Sequence, residues 1–292
     1  MKKILILISV FFVIVSCSKT NKNSLIVGVI GENYTRLPID LAIANFTSTT
    51  KMKYVETYDS YNKIAKDVSK GYIDLAIIPY PEILRLENTK KPKIKFLSPI
   101  SRNSIKLIYY NDMNENQVIN SGKLGILKNT SLSFLLSNKS HKNIVEYKNT
   151  LKLIADFYHH KLDGIFLFPD KIFKLYGPYK ISNFAEKDFP YFPNSGIVVN
   201  RKRYSEKKAE VDSLIFQTRN MIDYIQNNPI SSYKISQELY HYNMKITKNS
   251  LYTVSFSQRF SQRDFNYFQK ILFEMKKKGI IKQDFQLPFH LK

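Results

Sequence analysis

The sequence has one cysteine, no tryptophan, and only 24 acidic residues against 45 lysines and arginines in 292 positions. A single cysteine excludes an internal disulfide and any cysteine-rich zinc site. No apolar run reaches about eighteen residues, which excludes an ordinary membrane-spanning helix. Catalytic signatures are also missing: no glycine-rich Walker loop, no Gly-x-Ser-x-Gly elbow, no carboxylate pair placed for acid-base work. His159 and His160 are adjacent in sequence and so share no helix face as a metal pair would. These absences speak against an enzyme, a bound metal or any other cofactor. What is present is 43% apolar residues, 20 tyrosines, 20 phenylalanines and a net charge of +21. That apolar content excludes full-length disorder and can fill one large core or two ordinary ones. The charge alone admits nucleic acid, an anionic membrane or an acidic ligand. Its lysines, however, are scattered along the whole chain as on a solvated surface. No basic recognition helix marks a nucleic-acid binder.

The amino terminus is more specific. Met1, Lys2 and Lys3 precede the apolar segment Ile4 to Val15, broken only by Ser9. That segment is too short to cross a bilayer and reads as a secretory signal. It leads into Ser16 and Cys17, and the polar run Ser18 to Ser24 follows as a tether. Residues Ile14, Val15, Ser16 and Cys17 resemble a bacterial lipoprotein lipobox, with Ser16 as the small residue before the cysteine and a looser, spirochaete-like Ile14-Val15. The resemblance implies cleavage before Cys17, a diacylglycerol thioether on its sulfur and, in many bacteria, acylation of the new amino group. Two or three acyl chains anchor stably where one is marginal. Residues 1–16 are thus predicted as signal peptide and 17–24 as tether. The body is expected to be exported and held on a lipid bilayer, facing the periplasm or the cell surface.

The body repeats itself. Asp59 stands at a helix cap, Tyr61, Ile64, Ala65 and Val68 form an i, i+3, i+4, i+7 stripe, and Gly71 can close the helix. About ninety residues later Asn149 takes the cap position, with Leu151, Ile154, Ala155 and Tyr158 as the stripe. A strand-like segment precedes each helix. An apolar strand follows each one, opened by Ile73-Asp74 in the first copy and by Leu162-Asp163 in the second, where the spacing is one residue longer. Strand-helix-strand units written twice predict an α/β fold of two lobes with largely parallel sheets flanked by helices. Lys93 to Ile100, Ile105 to Tyr110 and Gly196 to Asn200 suit crossings between the lobes. Helical stripes then follow: Val211, Leu214, Ile215, Thr218, Ile222 and Ile225 in one, and Phe265, Phe268, Ile271, Leu272 and Met275 in the last, expected to cap the first lobe. Lobe 1 is predicted as residues 25–100 plus 199–292 and lobe 2 as 101–198.

Four stretches in this order, Val27 to Leu41, Gly71 to Pro81, Leu162 to Pro169, and Ser195 to Asn200 before a long helix ending at Asn228-Pro229, resemble the solute-binding proteins of ABC importers. More narrowly, the chain is similar to the type II periplasmic-binding group that includes nitrate, sulfonate, taurine and pyrimidine-precursor binders. The resemblance implies two lobes joined by two crossings that act as a hinge, a small-molecule ligand held between them, and an ABC permease with its ATPase as partner. Hinge closure requires lobes that separate; lobes fused through a continuous apolar interface would overturn it.

Ligands of open α/β sheets bind at the carboxyl ends of the strands. That rule nominates Asn33, Tyr34, Arg36, Tyr58, Tyr80, Glu82, Asn129, Thr130, Ser131, Phe168, Asp170, Asn194 and Ser195 as ligand-binding residues. Tyr34, Tyr58, Tyr80 and Phe168 could clamp a planar heterocycle. Arg36 and Arg102 could instead meet a small anion, and Thr130 and its neighbours could simply cap a helix. The alternative role is a surface lipoprotein of the same fold that binds a polyanion or a host or envelope component without transport.

Overall fold

The computed structural model describes residues 24–30, 34–44, 54–58, 60–89, 91–103, 105–137, 143–172, 175–241, 254–285 and 287. Residues 1–23, the signal and all of the tether but Ser24, lie outside them with Cys17, as do Asn33 and Asp59.

The first lobe begins with β1 (Ile26–Ile30), a 3-10 turn (Tyr34–Arg36), α1 (Leu37–Ala44), β2 (Tyr54–Tyr58), α2 (Tyr61–Lys70), β3 (Leu75–Pro79), α3 (Tyr80–Glu87) and β4 (Ile94–Arg102). The second holds β5 (Lys106–Tyr110), α4 (Glu115–Ser121), β6 (Leu124–Leu127), α5 (Ser131–Ser137), β7 (Ile144–Tyr147), α6 (Thr150–Tyr158), β8 (Gly164–Leu167), the short α7 (Pro169–Ile172), β9 (Tyr179–Ser182) and α8 (Phe184–Asp188). The chain returns through β10 (Pro193–Asn200) and ends in α9 (Arg201–Glu206), α10 (Lys208–Asn227), α11 (Pro229–Tyr240), β11 (Ser255–Phe256) and α12 (Gln262–Lys277).

The sheets are ordered β11-β4-β10-β3-β1-β2 and β7-β6-β8-β5-β9. Helical crossovers make β2-β1-β3 and β7-β6-β8 parallel. The strand that enters each sheet from the other lobe, β10 in the first and β5 in the second, inserts antiparallel beside the third strand. Both sheets therefore share one order, and strands β3 and β8 are buried throughout, as apolar runs in a doubly covered sheet should be.

The repeat is real, with its register one residue short of ninety. Helix α2 buries Ile64, Ala65 and Val68 and closes at Gly71 with φ 77°. In α6 the inward residues are Leu153 and Phe157, while Leu151 is 77% exposed and Tyr158 38%. The reason is the cap. Asn149 accepts hydrogen bonds from the backbone N–H groups of Leu151 and Lys152, so its counterpart is Ser60, the cap residue of α2, and not Asp59. In this register no extra residue is needed, and two polar contacts coincide. The hydroxyl of Tyr58 donates to Asp67 as that of Tyr147 does to Asp156. Asp74 accepts from the N–H of Ile26 at 2.8 Å, and Asp163 from that of Lys123 at 2.6 Å, so each acid clasps the start of its lobe's first parallel strand.

Helix α10 buries the six residues of its predicted stripe and lies on α1. Helix α12 departs from expectation. It packs against α5 of the second lobe as well as α3 of the first, because its apolar face is broad enough to be covered from both sides. It also pairs Lys278 with Glu146 and accepts a hydrogen bond from Ser137 on Glu274.

At the end of α3, Glu87 is buried with one carboxylate oxygen lacking a hydrogen-bond partner and Arg201 3.7 Å away. Burial pushes its carboxyl up from 4.5 to about 7, a shift that Arg201 only partly opposes. The folded chain therefore holds a proton that the unfolded chain releases near pH 4.5, and stability falls as pH rises through this window, by about 3 kcal/mol in all. Glu87→Gln is expected to flatten that dependence and to raise stability at pH 8, measured by urea unfolding at pH 5 and 8.

Candidate ligand site at the lobe junction

In the first lobe β3 runs directly into α3, which puts Tyr80 at the first helical position beyond a strand end. In the second, β6 ends at Leu127 and a turn leads into α5. Asn129 takes the left-handed backbone there, φ 63°, which its short polar side chain tolerates. Thr130 performs the capping: its Oγ1 accepts from the N–H of Ser133 at 3.2 Å and donates to the carbonyl of Leu127 at 3.0 Å.

The crossings bring further polar groups to the same region. Asn103 follows β4 with φ 50°, and its N–H donates to the carbonyl of Phe192 at 3.1 Å. The hydroxyls of Ser101 and Ser195 share a hydrogen bond of 2.6 Å, and Asn194 Nδ2 lies 3.5 Å from Ser101 Oγ; all three residues are buried. Gly196 lets β10 approach the aromatic rings beside it, since a Cβ there would stand 2.5 Å from the Phe96 ring and 3.3 Å from that of Tyr80.

Among the described residues at these strand ends and crossings, three side-chain atoms are buried without a hydrogen-bond partner: Tyr80 Oη, Ser131 Oγ and Asn103 Oδ1. Each unpaired group costs about 1–3 kcal/mol, so native interiors hold few of them. Tyr80 is held between Phe268, with ring centroids 4.2 Å apart, and Phe96 at 5.9 Å. Burial, and secondarily the Asp264 carboxylate, pushes its phenol well above the ordinary range, so the hydroxyl stays a neutral donor.

The remaining nominated residues are engaged elsewhere or fall outside what is described. Tyr34 is buried with Leu37, Leu41 and Tyr240 in a separate cluster. Arg36 forks onto Asp40 at 2.7 and 2.9 Å. Tyr58 turns its hydroxyl to Asp67, and Glu82 pairs with Arg85 on its own helix. Phe168 is buried in the largest apolar cluster. Asp170 lies in α7, and its side chain is outside the described residues. Arg102, the other candidate anion partner, is bonded to Asp264. Neither Arg36 nor Arg102 is thus available to an oxyanion. Sequence reasoning missed Ser101 and Asn103. The available signal was an asparagine just past a strand end, a residue type that favours left-handed turns.

The lobes are not separated by a polar gap. One buried apolar cluster runs through Ile78, Tyr80 and Ile83, through Leu132, Leu135 and Phe168, and through Phe268 and Met275 of α12. Opening exposes part of it at roughly 25 cal/mol per Å², which opposes a freely swinging hinge.

No family model matches the chain, and no curated protein matches its sequence. Solved structures do. The ligand-binding component of an ABC-type import system from Staphylococcus aureus, solved with zinc bound, is 12% identical and superposes with a TM-score of 0.72 over 91% of this chain and 97% of that one. The periplasmic aliphatic sulphonate binding protein SsuA from Escherichia coli is 10% identical with a TM-score of 0.69, covering 89% and 94%. A Candida albicans gene product described as having the generic periplasmic binding protein fold is 12% identical, with a TM-score of 0.61 over 92% and 99%. With two α/β lobes, one strand order in both sheets and two crossings, the chain has the type II periplasmic-binding-protein fold.

Proposed function

We propose that this chain is a lipid-anchored extracytoplasmic binding protein that holds a small solute between its lobes and delivers it to an ABC importer. The observation that carries the reading is the set of buried, unpartnered polar atoms on Tyr80, Ser131 and Asn103, contributed by both lobes and a crossing at the fold's strand ends. A solute with its own donors and acceptors would satisfy them. Because Arg36 and Arg102 are committed to Asp40 and Asp264, these residues suit a neutral hydrogen-bonding molecule, such as a heterocycle, better than an oxyanion. Exchange would proceed by partial opening, with contacts to the solute offsetting the apolar area exposed. The fold likeness supports the transport role, and the signal and lipobox pattern at Cys17 supports export and anchoring.

A thermal-shift screen of the chain across vitamins, pyrimidines, amino acids and sulfonates tests this. A ligand at a hundred times its Kd adds about 2.7 kcal/mol, a rise of roughly 5–10 °C in Tm. A neutral class is expected to give that rise. Stabilisation by heparin-like polymer alone, lost steeply with salt, would favour the polyanion-binding role instead.

A further inference from the structure

The edge of the first sheet opposite the lobe junction carries a basic cavity. The amino ends of β1, β3 and β4 and the carboxyl end of β10 meet there: the N–H of Asp74 donates to the carbonyl of Ile26, that of Asn200 to Asp74, and that of Arg201 to Lys93. The cavity, about 540 Å³, is lined by Lys70, Lys91, Lys93, Arg201, Lys202 and Arg203 and, among the described residues, by no carboxylate. Acids approach two of these six, Glu87 at 3.7 Å from Arg201, and Asp74 and Glu206 at 3.7 and 3.3 Å from Arg203. Among the described residues no carboxylate lies within ion-pair distance of Lys70, Lys91, Lys93 or Lys202. All four are exposed.

The tether enters the body at the same place. Lys207 Nζ donates to the carbonyl of Ser24 at 2.7 Å and to Asp74 at 2.9 Å, and Asp74 is the acid that also meets Arg203. Ser24 is seven residues from Cys17, a step that reaches at most about 25 Å. Any anchor on Cys17 therefore keeps this edge within about 25 Å of the bilayer. The eight residues of β10 separate the two edges by roughly 26 Å.

We infer that the cavity lined by Lys70, Lys91, Lys93, Arg201, Lys202 and Arg203 is a docking surface for the phosphate headgroups of an anionic bilayer. It seats the body with the lobe junction directed away from the membrane. The inference deepens the anchoring part of the proposed function, and rests on it for the orientation, while the headgroup contact stands on the cavity itself. Each basic side chain brought to an anionic surface strengthens binding about fivefold, an effect that salt screens. Delivery to a permease then requires the body to leave this seat.

The test removes the anchor. The full chain carrying Cys17→Ser is sedimented with phosphatidylglycerol-phosphatidylcholine vesicles and with phosphatidylcholine alone, at low and high salt. The neutral vesicles subtract the leader's apolar contribution, and the two charge reversals, which both keep Lys2 and Lys3, subtract its electrostatic one. Binding is expected to be stronger on the anionic vesicles and to fall with salt. The triple reversal Lys91→Glu, Lys93→Glu, Lys202→Glu is expected to weaken it at least tenfold. A second reversal on the other lobe, Lys148→Glu, Lys152→Glu, Lys180→Glu, is expected to leave it within about twofold, with both variants melting as the parent does. Equal loss in the two variants would assign the binding to diffuse charge and overturn the docking surface, as would equal binding to neutral and anionic vesicles. Failure of anchoring would appear separately, as a parent Cys17 without lipid mass.

Discussion

Asp264→Ala is expected to cost about 3–5 kcal/mol, the range for removing one partner of a buried ion pair, and to lower Tm by roughly 10 °C. Asp264 is 1% exposed and accepts from Arg102 through both carboxylate oxygens. The same carboxylate accepts from the N–H of Ser261 at 2.7 Å, and the N–H of Asp264 donates back to Ser261 Oγ at 3.2 Å, which closes a capping box on α12. One substitution thus strands the mostly buried Arg102 guanidinium and uncaps the helix that packs on both lobes. Asp264→Asn retains a capping oxygen and is expected to fall between. Combining Asp264→Leu with Arg102→Leu is expected to cost less than the two single changes together, since no charge is left unpaired. Urea unfolding of the five variants measures all of this.

Asp74→Ala is expected to cost a similar 3–5 kcal/mol, while Asp163→Ala at the equivalent position of the second lobe costs about 1–2 kcal/mol. Both acids accept from the first N–H groups of their lobe's leading strand. Only Asp74 also receives a buried lysine, Lys207, whose ammonium would keep just the Ser24 carbonyl. Asp163 is half-buried and has no ion pair among the described residues, so its loss removes a hydrogen bond without leaving a charge. Equal costs for the two would mean that the strand clasp, and not Lys207, sets the energy at Asp74.

Much of this architecture is legible in the residues. The stripes of α2 and α10 are read correctly because a helix buries residues at fixed spacing, and Gly71 marks a turn that needs positive φ. The same logic placed α6 one residue out, since two polar residues, Asp59 and Ser60, compete for one cap. Strand direction was less legible. The apolar run of β10 signals burial but not that it enters the sheet antiparallel. The site was harder still. Arg36 and Asp40 stand one helical turn apart, a pairing that spacing exposes, whereas Arg102 and Asp264 are 162 positions apart and nothing local joins them. Tyr34 looked like a ligand clamp until Tyr240, far along the chain, covered it. An amphipathic stripe such as that of α12 says which face is buried, not how many neighbours bury it.

The central claim is that a small solute is held by unpaired polar groups at the lobe junction. Its most direct measurement is a calorimetric titration of the best-stabilising compound from the screen against the parent, Tyr80→Phe and Ser131→Ala. Each change removes one buried hydrogen-bonding atom and leaves the ring or backbone in place, so binding is expected to weaken five- to a hundredfold in each variant while the fold remains intact. Unchanged affinity in both would place the compound elsewhere on the molecule and contradict the junction as its site.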